Sequence, residues 1–253
     1  IITASWQTYL NYGDRRLLDR YYPYMQQWLE YVAHYTVDGL LKKWPDTSYR
    51  NWYLGDWATP VGIDQTNPLS VDLVDNCYIA VCYQTMSKIA SLLDKADDSR
   101  GYKAKYDALT KRIQDTFYDA KGNTYASGTQ IDLVYPMLAG VTPDNLKETV
   151  LKTLYEVTAN RFQGHLATGL VGIPVLTEWA VKNGQAEWMY QMLKKRDYPG
   201  YLYMLDNGAT TTWEHWNGER SHIHNCYNGI GAWFYQALAG IMPDESKPGY
   251  KHI

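Results

Sequence analysis

Apolar residues recur at three- and four-residue steps almost from end to end of this chain, and that period restricts it to a fold built from helices. From Asp14 to Tyr35, Leu17, Leu18, Tyr21, Tyr22, Met25, Trp28, Leu29 and Val32 form one apolar face, and Asp14 after Gly13 supplies an N-cap. Pro68 to Leu93 is so densely apolar, through Leu69, Leu73, Tyr78, Ile79, Val81, Cys82, Met86, Ile89 and Leu93, that more than one face must be covered, which predicts an inner helix. Ser99 to Tyr118 is amphipathic, with Tyr102, Tyr106, Leu109, Ile113 and Phe117 opposite Lys and Arg, which predicts an outer one. Helices are also predicted over Thr129–Leu138, Pro143–Thr158, Gly169–Lys182, Ala186–Lys194 and Ile223–Leu238. Strand signals are few. Inner and outer helices joined as hairpins favour an all-α fold of the α/α toroid type over a four-helix bundle, and no repeat of fixed length supports an open solenoid. Two connections, Lys43–Asn67 and Tyr198–Arg220, lack any period and hold Gly, Pro, Trp and Asp. Loops of roughly 20 residues on a compact scaffold are often functional, and in a toroid these two would meet at one rim.

Composition narrows the ligand. A net charge of -3 excludes the basic footprint that a phosphate backbone demands, so nucleic acid is not an expected partner. The chain has 24 Tyr and 10 Trp against 3 Phe. Tyr and Trp join a flat apolar face to a hydrogen-bonding edge, which suits carbohydrate. Cys77, Cys82 and Cys226 have no metal-like spacing and are expected to be buried free thiols. No apolar run approaches the roughly 18 residues of a membrane span. The apolar start at Ile1 and the end at Ile253 are expected to be cuts inside a longer polypeptide.

The densest chemistry lies in Gly208–Gly218, where Glu214 stands between Trp213 and Trp216 in the order Trp-Glu-His-Trp. A carboxylate among indoles is costly unless its charge is used or well hydrogen-bonded. Glu214 is therefore the candidate general base, with Trp213 and Trp216 as sugar walls and His224 as a donor to a hydroxyl or to the carboxylate. A loop Glu stabilised by a helix dipole beside ordinary core indoles is the plainer alternative. His215 and His222 read as polar-face or capping residues. His222 and His224 do not share a helix face and lack a third ligand, so no metal or other cofactor is expected. In Asn51–Trp57, Gly55 allows a turn that presents Asp56 and Trp57 together, Trp57 as a stacking platform. A rim plug and a helix cap are the structural alternatives for that pair. Trp6, at helical spacing from Tyr9, reads locally as core.

The runs GATTTWEHWNG from Gly208, SHIH from Ser221 and GIGAWFYQALAGI from Gly229 resemble the C-terminal half of the catalytic domain of bacterial α-L-rhamnosidases of glycoside hydrolase family 78. Tyr12-Gly13-Asp14, Gly55-Asp56-Trp57, Thr129-Gln130 and Thr168-Gly169-Leu170 also fall where that family has similar features. The resemblance implies an (α/α)6 barrel, incomplete here at its N-terminal side, that removes terminal α-L-rhamnose from glycosides or oligosaccharides with inversion and without metal. It implies Glu214 as general base, Trp6 and Trp57 as rhamnose-pocket aromatics, and His224 as the pocket histidine, with His222 an alternative alignment. It places residues 1–243 in the barrel and 244–253 as a linker toward a β-sandwich domain of the same longer chain. The family's acidic motif, which supplies the general acid, would lie upstream of Ile1, so these residues alone are expected to be inactive. Another inverting (α/α)6 glycosidase and a non-catalytic sugar-binding toroid are the competing readings.

Overall fold

The computed structural model describes residues 1–43, 53–60 and 67–252. Asn51, Trp52 and both flanks of the first long connection therefore lie outside the described residues. Among the described residues the fold is all-α apart from two antiparallel ribbons of two residues per strand, Thr36–Val37 with Leu40–Leu41 and Tyr118–Asp119 with Thr124–Tyr125. It divides into two compact units, residues 1–52, 76–113 and 240–253 in one and residues 53–75 and 114–239 in the other.

The first unit holds α1 (Ile2–Tyr12), α2 (Arg16–Ala33), most of α3 (Pro68–Leu92) and most of α4 (Ala96–Phe117). Gly13, at φ 68, stops α1 by turning left-handed and donating its N–H to the Tyr9 carbonyl. Asp14 stands one position ahead of the cap residue of α2, and its side chain still caps the helix start. Its Oδ1 accepts the Arg16 N–H at 3.0 Å, and Arg15 occupies the cap position without a side-chain bond. Most of the predicted face of α2 is the observed one: Leu18, Tyr22, Met25 and Leu29 pack with Cys82, Met86, Ile89 and Ala90 of α3 and Tyr102 of α4, whereas Leu17 is exposed. Tyr22 adds a hydrogen bond from its hydroxyl to Asp98 Oδ2 at 2.8 Å, so its polar tip is satisfied at the edge of that core. The chain end lies against α1, with the Gly249 N–H donating to the Leu10 carbonyl at 2.8 Å.

The second unit holds α5 (Gln130–Leu138), α6 (Asp144–Glu156) with a π-helical turn at Val157–Arg161, α7 (Gly172–Lys182), α8 (Ala186–Leu193), α9 (Tyr201–Asp206) and α10 (Ile230–Trp233) with a π-helical turn at Phe234–Leu238. Thr129 and Asp132 close a reciprocal capping box at the head of α5. Two expectations need correction. The connection 198–220 contains the helix α9, seated on Gly200, whereas the sequence reads as one unbroken loop. The last helix starts at Ile230, not Ile223, because the backbone at His224 is drawn out to pair with Thr212, its N–H donating to the Thr212 carbonyl at 3.0 Å. Among the described residues no helix is long and apolar enough to cross a membrane.

All three cysteines are buried and outside any disulfide. Burial pushes the Cys82 thiol up to about 12. Burial, reinforced by the Glu214 and Asp56 carboxylates, pushes Cys226 up to about 11. Since the thiolate is the reactive species, none of the three should be carbamidomethylated by iodoacetamide at pH 8 until urea is added. Peptide mass spectrometry reads this directly, and labelling of Cys226 in the native protein would contradict its placement.

Candidate active site

The described part of the first long connection and the Glu214 segment come together in the second unit. Gly55, at φ 64, turns the chain so that Asp56 points inward and Trp57 stays half-buried. Asp56 is 1% exposed. Its Oδ2 accepts the Gly169 N–H at 2.7 Å, and its Oδ1 accepts those of Val171 and Gly172 at 2.9 and 2.8 Å. It thus closes the start of α7, where unsatisfied N–H groups and the helix dipole favour a carboxylate. The glycines are required for this approach: a Cβ on Gly169 would lie 1.9 Å from the Trp57 carbonyl oxygen, and one on Gly172 would lie 2.5 Å from Asp56 Oδ2. The sequence reading offered Asp56 as a sugar contact or as a cap. The geometry is that of a cap, one that fixes the loop presenting Trp57.

Gly218, at φ 82, reverses the chain after Asn217 and returns Ser221 alongside Glu214. The Glu214 N–H donates to the Ser221 carbonyl at 2.8 Å, and the Ser221 N–H donates to Glu214 Oε2 at 3.3 Å. Oε1 of Glu214 lies 3.5 Å from Arg220 Nη1 and 4.0 Å from His215 Nε2. The side chain is 16% exposed, so Glu214 is largely but not wholly buried. Trp57 borders the same group: the His215 ring meets it edge-on at 5.9 Å, and the Arg220 guanidinium lies 5.2 Å from its centroid. Tyr227 ties the two loops together, its hydroxyl donating to the Ala58 carbonyl at 2.7 Å and the Glu214 carbonyl at 3.2 Å.

The other predicted residues are placed differently. Trp216 is 1% exposed, stacks on Tyr227 at 4.0 Å and donates its Nε1–H to the Thr168 carbonyl at 2.9 Å. It has no ring face left for a sugar and supports the site from beneath. Trp213 is also buried, covered by His222, which stacks on it at 4.8 Å and bonds to the Gly218 carbonyl. His224 accepts the Cys226 N–H on Nδ1 at 3.1 Å, which leaves Nε2 as the protonated nitrogen of the neutral ring. No bond recorded among the described residues joins His224 to Glu214. Trp6 belongs to the first unit, half-buried beside Tyr9 at 5.3 Å and lining an open cleft of about 510 Å³ with Lys88, Ser87 and Glu245. Among the described residues no cluster of His, Cys, Asp and Glu could hold a metal ion.

His215 and Arg220, the two groups nearest Oε1, were not selected from sequence. The available signal was the Asn217-Gly218 turn, which folds residues 219–221 back over the Trp-Glu-His run.

Residues 1–238 match the family described as the bacterial alpha-L-rhamnosidase 6 hairpin glycosidase domain. An alpha-L-rhamnosidase of Formosa agariphila is 28% identical across 98% of this chain, which spans 27% of that protein. The alpha-L-rhamnosidase structure from Dictyoglumus thermophilum is similar at a TM-score of 0.84 and 28% identity, covering 98% of this chain and 28% of that one. The Streptomyces avermitilis alpha-L-rhamnosidase complexed with L-rhamnose is similar at a TM-score of 0.84 and 26% identity, covering 98% of this chain and 23% of that one. The chain thus spans about a quarter of the length of the relatives it matches, and across that span it shares their helical-hairpin glycosidase fold.

Proposed function

The chain belongs to the bacterial α-L-rhamnosidase six-hairpin glycosidase family, and from that premise we propose that it carries the general-base side of an inverting site that releases terminal α-L-rhamnose from glycosides. The observation that carries this reading is Glu214: a largely buried carboxylate with Oε2 held by a backbone N–H and Oε1 facing Arg220 and His215 beside the half-buried indole of Trp57. An inverting base must activate a water on the face of the sugar opposite the leaving group, with the two carboxyl groups about 6.5 to 9.5 Å apart. The partner acid is expected in the longer polypeptide, since the chain spans only about a quarter of its relatives' length. In that polypeptide residues 244–253 lead toward a further domain. Rhamnose combines hydroxyls with an apolar methyl, and Trp57 offers a surface suited to that mixture.

The test is hydrolysis of an aryl α-L-rhamnoside by the full-length polypeptide, followed by proton NMR of the first-formed sugar. The expected product is the β-anomer, appearing before mutarotation. Initial release of the α-anomer would overturn the inverting assignment. Turnover of a different aryl glycoside alone would overturn the substrate, and sugar binding without turnover would indicate a carbohydrate-binding toroid.

A further inference from the structure

We infer that His215 and Arg220 seat the attacking water on Oε1 of Glu214, an inference that rests on the reading of Glu214 as the base. The two carboxylate oxygens are not equivalent. Oε2 is engaged by the Ser221 N–H at 3.3 Å, whereas Oε1 faces Arg220 Nη1 at 3.5 Å and His215 Nε2 at 4.0 Å. The His215 separation exceeds a hydrogen bond and can be bridged by a single water, and the Arg220 separation is that of a loose ion pair whose guanidinium can donate to the same water.

His215 supplies the independent sign that something polar sits there. Its Nε2 is buried and has no hydrogen-bond partner among the described residues. A buried imidazole nitrogen without a partner is costly, and a water bonded to several polar groups is the usual remedy. The Arg220 backbone adopts φ 63, a conformation uncommon for a residue with a Cβ. Its guanidinium lies against Trp57, 5.2 Å from the ring centroid.

A water at this point can accept from Arg220, donate one hydrogen to Glu214 Oε1 and donate the other to His215 Nε2, with Nδ1 carrying the imidazole proton. One lone pair then remains directed away from the three side chains, toward a sugar stacked at Trp57. Arg220 and His215 are thus positioning residues that orient the water whose proton Glu214 takes.

The experiment measures kcat, KM and rhamnose affinity of the full-length polypeptide for Arg220→Met, Arg220→Lys, His215→Phe and Glu214→Gln. Arg220→Met and His215→Phe should each lower kcat by about 10- to 100-fold with KM within about threefold, the size expected when a reacting group is misplaced by an ångström or so. Arg220→Lys, which keeps a cationic donor, should recover most of that loss. Arg220 is largely exposed, so its replacement folds even if a His215 variant does not. Turnover by Arg220→Met within twofold of the parent, an equal defect in Arg220→Lys, or a loss confined to KM would overturn the water seat. If Glu214→Gln itself keeps full turnover, the base assignment fails; if it is inactive while Arg220→Met is not, only the water seat fails.

Discussion

Replacing Glu214 by Gln is expected to lower kcat of the full-length polypeptide by about 10²- to 10⁴-fold while rhamnose affinity changes by less than about threefold. The substitution is nearly isosteric. A Gln amide oxygen can still accept the Ser221 N–H that now reaches Oε2, so the turn through Gly218 and the Trp57 wall should be retained. What disappears is the negative charge and the ability to take a proton from water. Because an inverting base acts only as the transition state develops, the defect belongs in kcat and in kcat/KM equally. Calorimetric titration with rhamnose separates this from collapse of the pocket: normal binding with lost turnover is the expected pair of results, and near-normal turnover would remove Glu214 from the mechanism.

The sequence revealed what depends on neighbours close in the chain. The α2 face of Leu18, Tyr22, Met25 and Leu29 and the helix that begins after Thr129 follow from spacing alone, and both are observed. Glu214 stood out because two indoles beside a carboxylate are a local conflict. What stayed hidden was set by partners far along the chain. Ile223, Tyr227 and Ile230 mimic helical spacing, yet Ile223 is 82% exposed and the Tyr227 hydroxyl is bound to carbonyls of two separate loops. Trp216 looked like a sugar wall because its flat face is the same whether it meets a ligand or Tyr227. Arg220 carried no motif at all; its value comes from a glycine turn that returns it to Glu214.

Asp56 gives the second large effect, and it should appear in stability before it appears in chemistry. Asp56→Ala would strand three backbone N–H groups, of Gly169, Val171 and Gly172, in a place where the carboxylate now leaves 1% exposure. Leaving buried groups unpaired costs about 1 to 3 kcal/mol each, partly relieved here by water entering as the loop loosens, so a loss of about 3 to 5 kcal/mol is expected. For a domain of this size that lowers the melting temperature by on the order of 10 °C. Asp56→Asn should do little better, because the amide NH₂ would oppose N–H donors that the second carboxylate oxygen now accepts. Trp57→Ala supplies the contrast: its indole is half-buried, so its loss should raise KM far more than it lowers melting. The two variants therefore separate anchoring from recognition. If Asp56→Ala instead melts within about 2 °C of the parent and shows its defect only in KM, Asp56 contacts the sugar as the residue pattern first suggested, and its bonds to the start of α7 are dispensable.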